Sequence, residues 1–256
     1  MKQRATAASD KTRLLAAPGL YAAAGGMALA VLLAGLEPLL KALGTAPMLP
    51  AGFHAQLVLD ALRSDWVTLA LPVLCALPYT TSFVDDVKSG FIKSYLHRAG
   101  MAAYIRGKLT ACALSGGLAL FAGVLLAWGI AVLALTPLEL APGAQEATRP
   151  YFAELLTKAA VLFCSGAFWS LVGFTAAALT MNRFIAYASP FILYYVLIIL
   201  HERYFEWLYV LYPKEWIDPS AAWVLGQWGV VLLLAELCAA VSLVFALAAK
   251  RRLANV

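Results

Sequence analysis

Apolar residues occur in six long blocks along the chain, separated by short polar segments. The blocks cover residues 18–40, 66–84, 109–135, 159–181, 184–200 and 223–249. A helix needs roughly 20 apolar residues to cross the hydrocarbon layer of a bilayer, so the pattern predicts six transmembrane helices. The polar segments are too short for a separate folded core. We therefore expect an all-α integral membrane protein with a single membrane domain, residues 1–256.

The composition agrees with this class. Hydrophobic residues make up 63% of the 256 residues and charged residues 13%, whereas charged residues approach about a quarter of a soluble domain. A cleaved signal peptide is the competing interpretation of the first block. However, the block exceeds the roughly 7–15 apolar residues of a signal peptide, and Glu37 and Pro38 stand where a small-residue cleavage site belongs. We expect a retained first helix.

The basic residues predict the orientation of the bundle. If the N-terminus is inside, thirteen Lys and Arg residues flank the inner ends of the blocks and six flank the outer ends. Because basic residues concentrate on the cytoplasmic side, both termini are expected in the cytoplasm of a multi-pass protein of a bacterial cell (inner) membrane. The net charge of +5 arises from these flanks, which face anionic membrane lipids. No basic cluster with interleaved aromatic residues indicates nucleic-acid binding.

The cysteines and histidines do not predict a metal site. Cys75, Cys112, Cys164 and Cys238 all lie inside apolar blocks without paired spacing, so neither a disulfide framework nor a CxxC site is expected. His97 and His201 are isolated from other ligand residues in the sequence, and His54 lies in an outer loop. Small packing residues are the simplest interpretation of the cysteines.

The inner segment after the second block has helical periodicity. Within residues 85–99, Val87, Phe91 and Tyr95 recur at i, i+4 and i+8, and Asp86 falls on the opposite, polar side. Such a pattern predicts an amphipathic helix at the membrane surface, ended by Gly100. An ordinary charged loop is the alternative that periodicity leaves open.

Two short motifs resemble a known family. They are Asp85-Asp86-x-x-Ser89-Gly90-Phe91-Ile92-Lys93-x-x-Leu96 and, at the entry to the third block, Tyr104-x-x-Gly107-Lys108. Together with the six predicted spans and the cytoplasmic termini, these motifs resemble those of the membrane subunits, or permeases, of ABC-2-type ABC transporters. The chain departs from the family at Arg98-Ala99-Gly100, where members often have a proline.

The resemblance implies a division of labour between subunits. A dimer of permeases, homomeric or heteromeric, would enclose a substrate path, and two copies of a cytoplasmic ATP-binding cassette subunit would dock on a coupling helix. The implied contact residues are Asp85, Asp86, Lys88, Ser89, Gly90, Lys93, His97 and Arg98. The sequence contains no G-x-x-x-x-G-K-[ST] phosphate loop. ATP and Mg are therefore expected on the partner, with no cofactor, metal or catalytic residue in this chain.

Two acids in apolar blocks are candidates for the substrate path. Glu37 and Glu236 are costly to desolvate; Glu37 is also explained by an interfacial position, and Glu236 by a hydrogen bond or a cation partner. The apolar spans indicate export of a small hydrophobic or amphipathic compound such as a drug, peptide or lipid. A carrier that does not use ATP and a membrane-embedded lipid-modifying enzyme remain as alternatives.

The outer segment 201–219 mixes aromatic and charged residues. Tyr and Trp are typical of the membrane–water boundary, so an interfacial belt is one interpretation. The resemblance implies a short outer helix that caps the path, and the two are compatible. The residues assigned to this outer cap are Tyr204, Phe205, Trp207, Tyr212 and Trp216.

Overall fold

The computed structural model describes residues 12, 14–45, 48–92, 100–140, 151–220 and 223–253. The helices bounded within these ranges are α1 (Pro18–Thr45), α2 (Phe53–Ala61), α3 (Asp65–Leu74), α4 (Ser82–Lys88), α5 (Met101–Leu135), α6 (Tyr151–Thr180), α7 (Arg183–Arg203) and α8 (Gln227–Leu253). Short 3-10 helices cover Thr136–Leu138 and Tyr209–Leu211. These ranges contain no strand, only an isolated bridge between Leu49 and Glu139.

Five helices, α1, α5, α6, α7 and α8, are long and apolar enough to cross a membrane. The shortest, α7, has 21 residues. At about 1.5 Å per residue it extends roughly 32 Å, which matches a hydrocarbon layer of about 30 Å. The all-α fold and its multi-pass membrane character agree with the sequence, and each of these helices overlaps a predicted span.

The second predicted span is not one continuous helix. α3 has 10 residues and ends at Leu74, turns follow, and α4 begins only at Ser82. Pro78 lies in the turns, and proline lacks the N–H that a continuing helix needs and clashes with the carbonyl four residues earlier. The hydroxyl of Thr80 donates a hydrogen bond to the carbonyl oxygen of Ala76. Block 66–84 therefore folds as two helices with a break between them.

Protein packs against most of the break, and Leu77 remains exposed. Cys75, Ala76 and Thr80 have no exposed surface. On α1, Gly19 lies against the break so closely that a Cβ there would come within 2.8 Å of the carbonyl oxygen of Leu77. Irregular backbone at membrane depth is tolerated where protein or a water-filled cavity surrounds it, and the buried positions of the break meet this condition.

α6 is the central helix of the bundle. In its most apolar stretch 72% of the residues are buried, against 17% in α8. α6 meets α5 at Gly116 and Gly166, where a Cβ on either glycine would come within 2.5 Å of the other's carbonyl oxygen. Small residues permit such an approach between membrane helices. α8 is therefore peripheral, with most of its surface facing away from the chain.

The two ends of the bundle carry different polar clusters. The end with α4, the start of α5 and the end of α8 is called the Asp86 end below. The opposite end, with α2 and residues 205–220, is called the Asp218 end. The distribution of basic residues predicts that the Asp86 end faces the cytoplasm.

Candidate functional site

The expected coupling helix is interrupted in the structure. α4 ends at Lys88, and Gly90 has a φ of 72°, a left-handed conformation that glycine adopts without strain. Phe91 and Ile92 are helical again. The segment 85–99 was expected as one helix, and the turn at Gly90 separates its first residues from the rest. Lys93, His97 and Arg98 lie outside the described residues.

Asp86 lies inside the bundle. The residue is 8% exposed, its Oδ2 is 2.7 Å from Nζ of Lys108, and the hydroxyl of Tyr104 donates to the same oxygen at 3.0 Å. The helical periodicity predicted that Asp86 lies on the polar side of the helix, away from the apolar stripe. In the structure α4 packs this carboxylate against α5 instead. Asp86 is therefore a buried structural partner rather than a surface contact.

Lys108 completes the buried cluster. Its side chain is 2% exposed, and Nζ donates to the hydroxyl of Tyr79 at 3.1 Å. Nζ also lies 5.0 Å from the centre of the Tyr79 ring, within the range of cation–π attraction. A charge this deeply buried needs a partner and further hydrogen bonds to offset its desolvation. Asp86 supplies the charged partner of Lys108 and Tyr79 accepts a hydrogen bond from it, while Tyr104 hydrogen-bonds to Asp86.

Asp85 makes the second link from α4. Its Oδ1 accepts a hydrogen bond from Nε of Arg183, the first residue of α7, at 2.6 Å. The two side chains are 40% and 58% exposed, so solvent weakens this ion pair. The hydroxyl of Thr81 donates to Oδ2 of Asp85 at 3.0 Å. α4 is thus tied to α5 by a buried pair and to α7 by a more exposed one.

Three of the expected contact residues are exposed. Lys88, Ser89 and Gly90 form the end of α4 and the turn after it, and all three face outward. A protein that bound this turn would contact the element that Asp85 and Asp86 connect to α7 and α5. Displacement of α4 would then act on both helices.

The two candidate acids of the substrate path both lie on exposed surfaces. Glu37 pairs with Lys41 one turn away at 2.6 Å, with both side chains about three-quarters exposed. Glu236 is exposed on α8. The described residues therefore do not bring the two acids together around an internal path within one chain.

The expected outer cap divides into a buried and an exposed part. Trp216 is 1% exposed, packs on the rings of Phe168 and Trp169 at 5.5 and 5.7 Å, and donates through Nε1 to the carbonyl oxygen of Val210 at 2.9 Å. By contrast, Tyr204, Phe205 and Trp207 are exposed. Trp216 anchors the segment, and the exposed rings are placed as an interfacial belt would be.

Tyr212 lies beside this anchor. Its hydroxyl donates to Oε1 of Glu202 at 3.0 Å, and its ring stacks on His201 at 4.2 Å between centroids. Burial and the bond to Glu202 raise the pKa of Tyr212 to about 12. The hydroxyl is therefore protonated at neutral pH and serves as a donor.

Ion pairs hold the cap to the membrane helices, and we call them the outer clamp. Asp218 pairs with Lys158 on α6 and with Arg63, whose Nε is 3.0 Å away. Lys214 pairs with Asp65 at the start of α3 at 3.2 Å. A cavity of about 200 Å³ lies among these groups, lined by Arg63, Thr68, Tyr212, Lys214, Glu215, Ile217 and Asp218. The clamp therefore ties the cap to α3 and α6 beside this cavity.

We expect Lys158→Met to destabilise the protein by about 1 kcal/mol at pH 7, since the substitution removes a hydrogen-bonded partner of the half-exposed Asp218 carboxylate. Burial raises the pKa of Asp218, but Lys158 and then Arg63 outweigh this and hold it below its ordinary value. Because the pKa of Asp218 is lower in the folded protein, its ion pairs stabilise the fold at pH values above the pKa of an unfolded aspartate, about 4. The loss should therefore shrink as the pH falls below about 4.

The measurement is thermal unfolding in detergent across this pH range. Lys41→Met is the matched control, because its ion pair with Glu37 is exposed on both sides, so its loss should have little effect on stability. Equal effects of the two variants at pH 7 would contradict a structural role for the clamp.

Glu139 joins two of the outer loops, a contact that the sequence did not indicate. Its carboxylate accepts hydrogen bonds from the backbone N–H groups of Gly52 and His54 at 3.0 and 2.6 Å, and it lies 2.8 Å from Nδ1 of His54. Carboxylates stabilise helix N-termini, and this one caps α2 from 87 residues away. Nothing in the local sequence marks such a long-range cap.

The comparisons with known proteins supply no relative. No family model matches the chain, and no curated protein or solved structure matches it. Within the described ranges, no group of three or more His, Cys, Asp or Glu residues is arranged to hold a metal ion. The geometry of the Asp86 end and the outer clamp is therefore the main structural basis for a functional proposal.

Proposed function

We propose that the chain is the membrane subunit of an ATP-driven ABC exporter of the ABC-2 type. The observation that carries the proposal is the linkage of α4: an exposed turn at Lys88–Gly90 follows a short helix that ion pairs connect to α5 and α7. A separate ATPase subunit docks on this turn, and its movement is passed to the membrane helices. ATP and Mg bind to that subunit.

The motifs that resemble the family support this assignment. Asp86 stands in the first motif, and Tyr104 and Lys108 in the second. All three meet in the buried cluster at 2.7 and 3.0 Å. The two motifs are therefore parts of one structural unit, whose role is to position α4 rather than to perform chemistry.

The cargo is a small hydrophobic or amphipathic compound, such as a drug, a peptide or a lipid. The outward surfaces of α1, α7 and α8 are rich in exposed large apolar side chains, so a path between two permeases has mainly apolar walls. The outer clamp ties the cap to α3 and α6 at the Asp218 end. In this proposal the chain lies in a bacterial inner membrane with both termini in the cytoplasm.

The docking turn is tested with Lys88→Glu. Reversal of a charge at a contact worth about 1.4 kcal/mol lowers the affinity about tenfold, so we expect about tenfold less ATPase subunit to co-purify with the tagged chain. Lys250→Glu is the control, since Lys250 is also exposed at the Asp86 end but lies on α8. Asp86 is unsuitable, because its reversal would disrupt the buried cluster. Recovery equal to that of the control variant, or no ATPase subunit with the unmodified chain, would refute the proposal.

A carrier that does not use ATP is the second candidate, favoured by the break between α3 and α4. Discontinuous membrane helices form ion and substrate sites in such carriers. Here the backbone of the break is packed against protein at Cys75, Ala76 and Thr80, and the chain has no evident repeated halves. A chain that transports cargo in vesicles without any ATPase subunit would establish this alternative.

A further inference from the structure

We infer that a groove between the ends of α6 and α8 binds an anionic phospholipid, with its phosphate held by Arg251 and Arg252. The groove lies at the Asp86 end and has a volume of about 420 Å³. It is lined by Leu179, Val244, Leu247, Ala248, Arg251 and Arg252. The docking turn after α4 contributes no residue to it, so the inference goes beyond the proposed function and does not depend on it.

The lining of the groove is amphipathic in the same sense as a phospholipid. Val244, Leu247 and Arg251 are spaced by three and four residues and therefore share one face of α8. On the walls of the groove, Val244, Leu247 and Leu179 are 48%, 54% and 50% exposed. Arg252 lies eight residues beyond Val244, about 12 Å along the helix axis. The groove thus has apolar walls along its length and two guanidinium groups at one end.

The two arginines lie at the depth of the lipid headgroups. α8 has 27 residues and extends about 40 Å, which matches a bilayer of about 40–45 Å including its headgroup layers. The last turn of α8 carries Lys250, Arg251 and Arg252, so this turn lies in the headgroup layer. Val244 and Leu247 lie deeper, in the hydrocarbon. A phosphate and the acyl chains beneath it have the same arrangement.

Arg252 is held in place across the groove. Its Nη2 donates to the carbonyl oxygen of Leu179, in the last turn of α6, at 2.5 Å. A guanidinium group has five N–H donors, so the remaining donors of Arg252 are available to a phosphate oxygen. The fold therefore orders part of the binding site without the lipid.

The positive charge at the groove lacks an acidic partner. Arg251 makes no hydrogen bond or ion pair with another described residue. The described acids at this end are Asp85 and Asp86, and each already pairs with another cation. An anion from outside the chain would balance the arginines, and anionic headgroups bind basic pockets between transmembrane helices in this way.

A second copy of the chain fits the groove less well than a lipid does. A two-fold axis at the groove would place arginines against arginines, and like charges across an interface are repulsive. A phospholipid instead contacts both helices with complementary charge. Only 17% of the most apolar stretch of α8 is buried, so the lipid adds a contact to a helix that the chain covers little.

The lipid chemistry is tested by native mass spectrometry of the purified chain in detergent, titrated with dioleoyl phosphatidylglycerol or dioleoyl phosphatidylcholine. The attraction of one basic residue to an anionic lipid surface corresponds to about fivefold in affinity. Arg251→Gln should therefore weaken the binding of phosphatidylglycerol about fivefold and leave that of phosphatidylcholine unchanged. The variant should fold, because Arg251 is exposed.

Arg106→Gln is the matched control, because it removes an exposed cation at the same end but on α5, outside the groove. It should bind phosphatidylglycerol almost as the unmodified chain does. Equal affinities of the two variants for phosphatidylglycerol would overturn the inference. Equal affinities of the unmodified chain for the two lipids would do the same.

Site-specific photocrosslinking in living cells tests which molecule lies in the groove. A photoreactive amino acid replaces Leu247, inside the groove, or Tyr21, which is 66% exposed near the start of α1. We expect position 247 to capture phospholipid with a larger anionic share than the lipid captured at position 21. Capture of a protein at position 247, a second copy of this chain included, or the same lipid composition at both positions, would refute a site for anionic phospholipid.

Discussion

Lys108→Met is expected to lower the free energy of unfolding by about 3–5 kcal/mol, the largest effect of any single substitution considered for this chain. The methionine fills most of the space of the lysine but removes the ammonium group that lies 2.7 Å from the buried Asp86 carboxylate. The hydrogen bond from Tyr104 to that carboxylate offsets less of the desolvation of its charge than the ammonium group does. Unfolding in detergent, followed by tryptophan fluorescence, measures the loss.

The double variant Asp86→Asn/Lys108→Met separates the buried charge from side-chain size. It removes both charges, so most of the lost stability should return. Arg106→Met is the matched control, because Arg106 lies on the same helix but is exposed, and its effect should stay within about 0.5 kcal/mol. A Lys108→Met loss no larger than that of the control would show that the pair does not hold α4 to α5.

Gly116→Ala is expected to destabilise the bundle by about 1–3 kcal/mol, because overpacking moves helices apart. The added Cβ would lie 2.4 Å from Cβ of Ser170 and 2.5 Å from the carbonyl oxygen of Gly166. Neither neighbour is the mobile end of a long side chain, so α5 and α6 must separate. The same unfolding measurement in detergent detects this change.

Gly129→Ala on the same helix is the matched control for Gly116→Ala. A Cβ at Gly129 meets nothing within 4 Å, and alanine is favoured over glycine in a helix by up to about 1 kcal/mol. We therefore expect Gly129→Ala to leave the protein as stable or to stabilise it. Equal destabilisation by both variants would mean that loss of glycine itself, rather than the α5–α6 contact, determines the effect.

The sequence predicted the five long spans well, because a helix that crosses a bilayer must be apolar over its length. It did not predict the break in the second span. Buried turns are as apolar as buried helix, and the distinguishing residue, Pro78, is also tolerated inside membrane helices. Pro72, for example, lies within α3.

The candidate site was only partly predictable. Asp85 and Asp86 were identified, but periodicity could not show which of them faces α5, since that depends on the packing of α4. Lys108 was taken as the flank of a span, although the spacing of Tyr104 and Lys108, four residues apart, would place both on one helix face. The clamp residues Arg63 and Lys158 are far from Asp218 in sequence, so only the folded chain brings them together.

The docking of an ATPase subunit at the Asp86 end is tested most directly by site-specific photocrosslinking in living cells. A photoreactive amino acid replaces Ser89, in the exposed turn after α4, or Trp207, which is 73% exposed at the opposite end. The proposal predicts that position 89 captures a protein with a phosphate-loop ATPase sequence and that position 207 does not. Capture of such a protein at position 207, or none at position 89 in cells that express the chain normally, would contradict it.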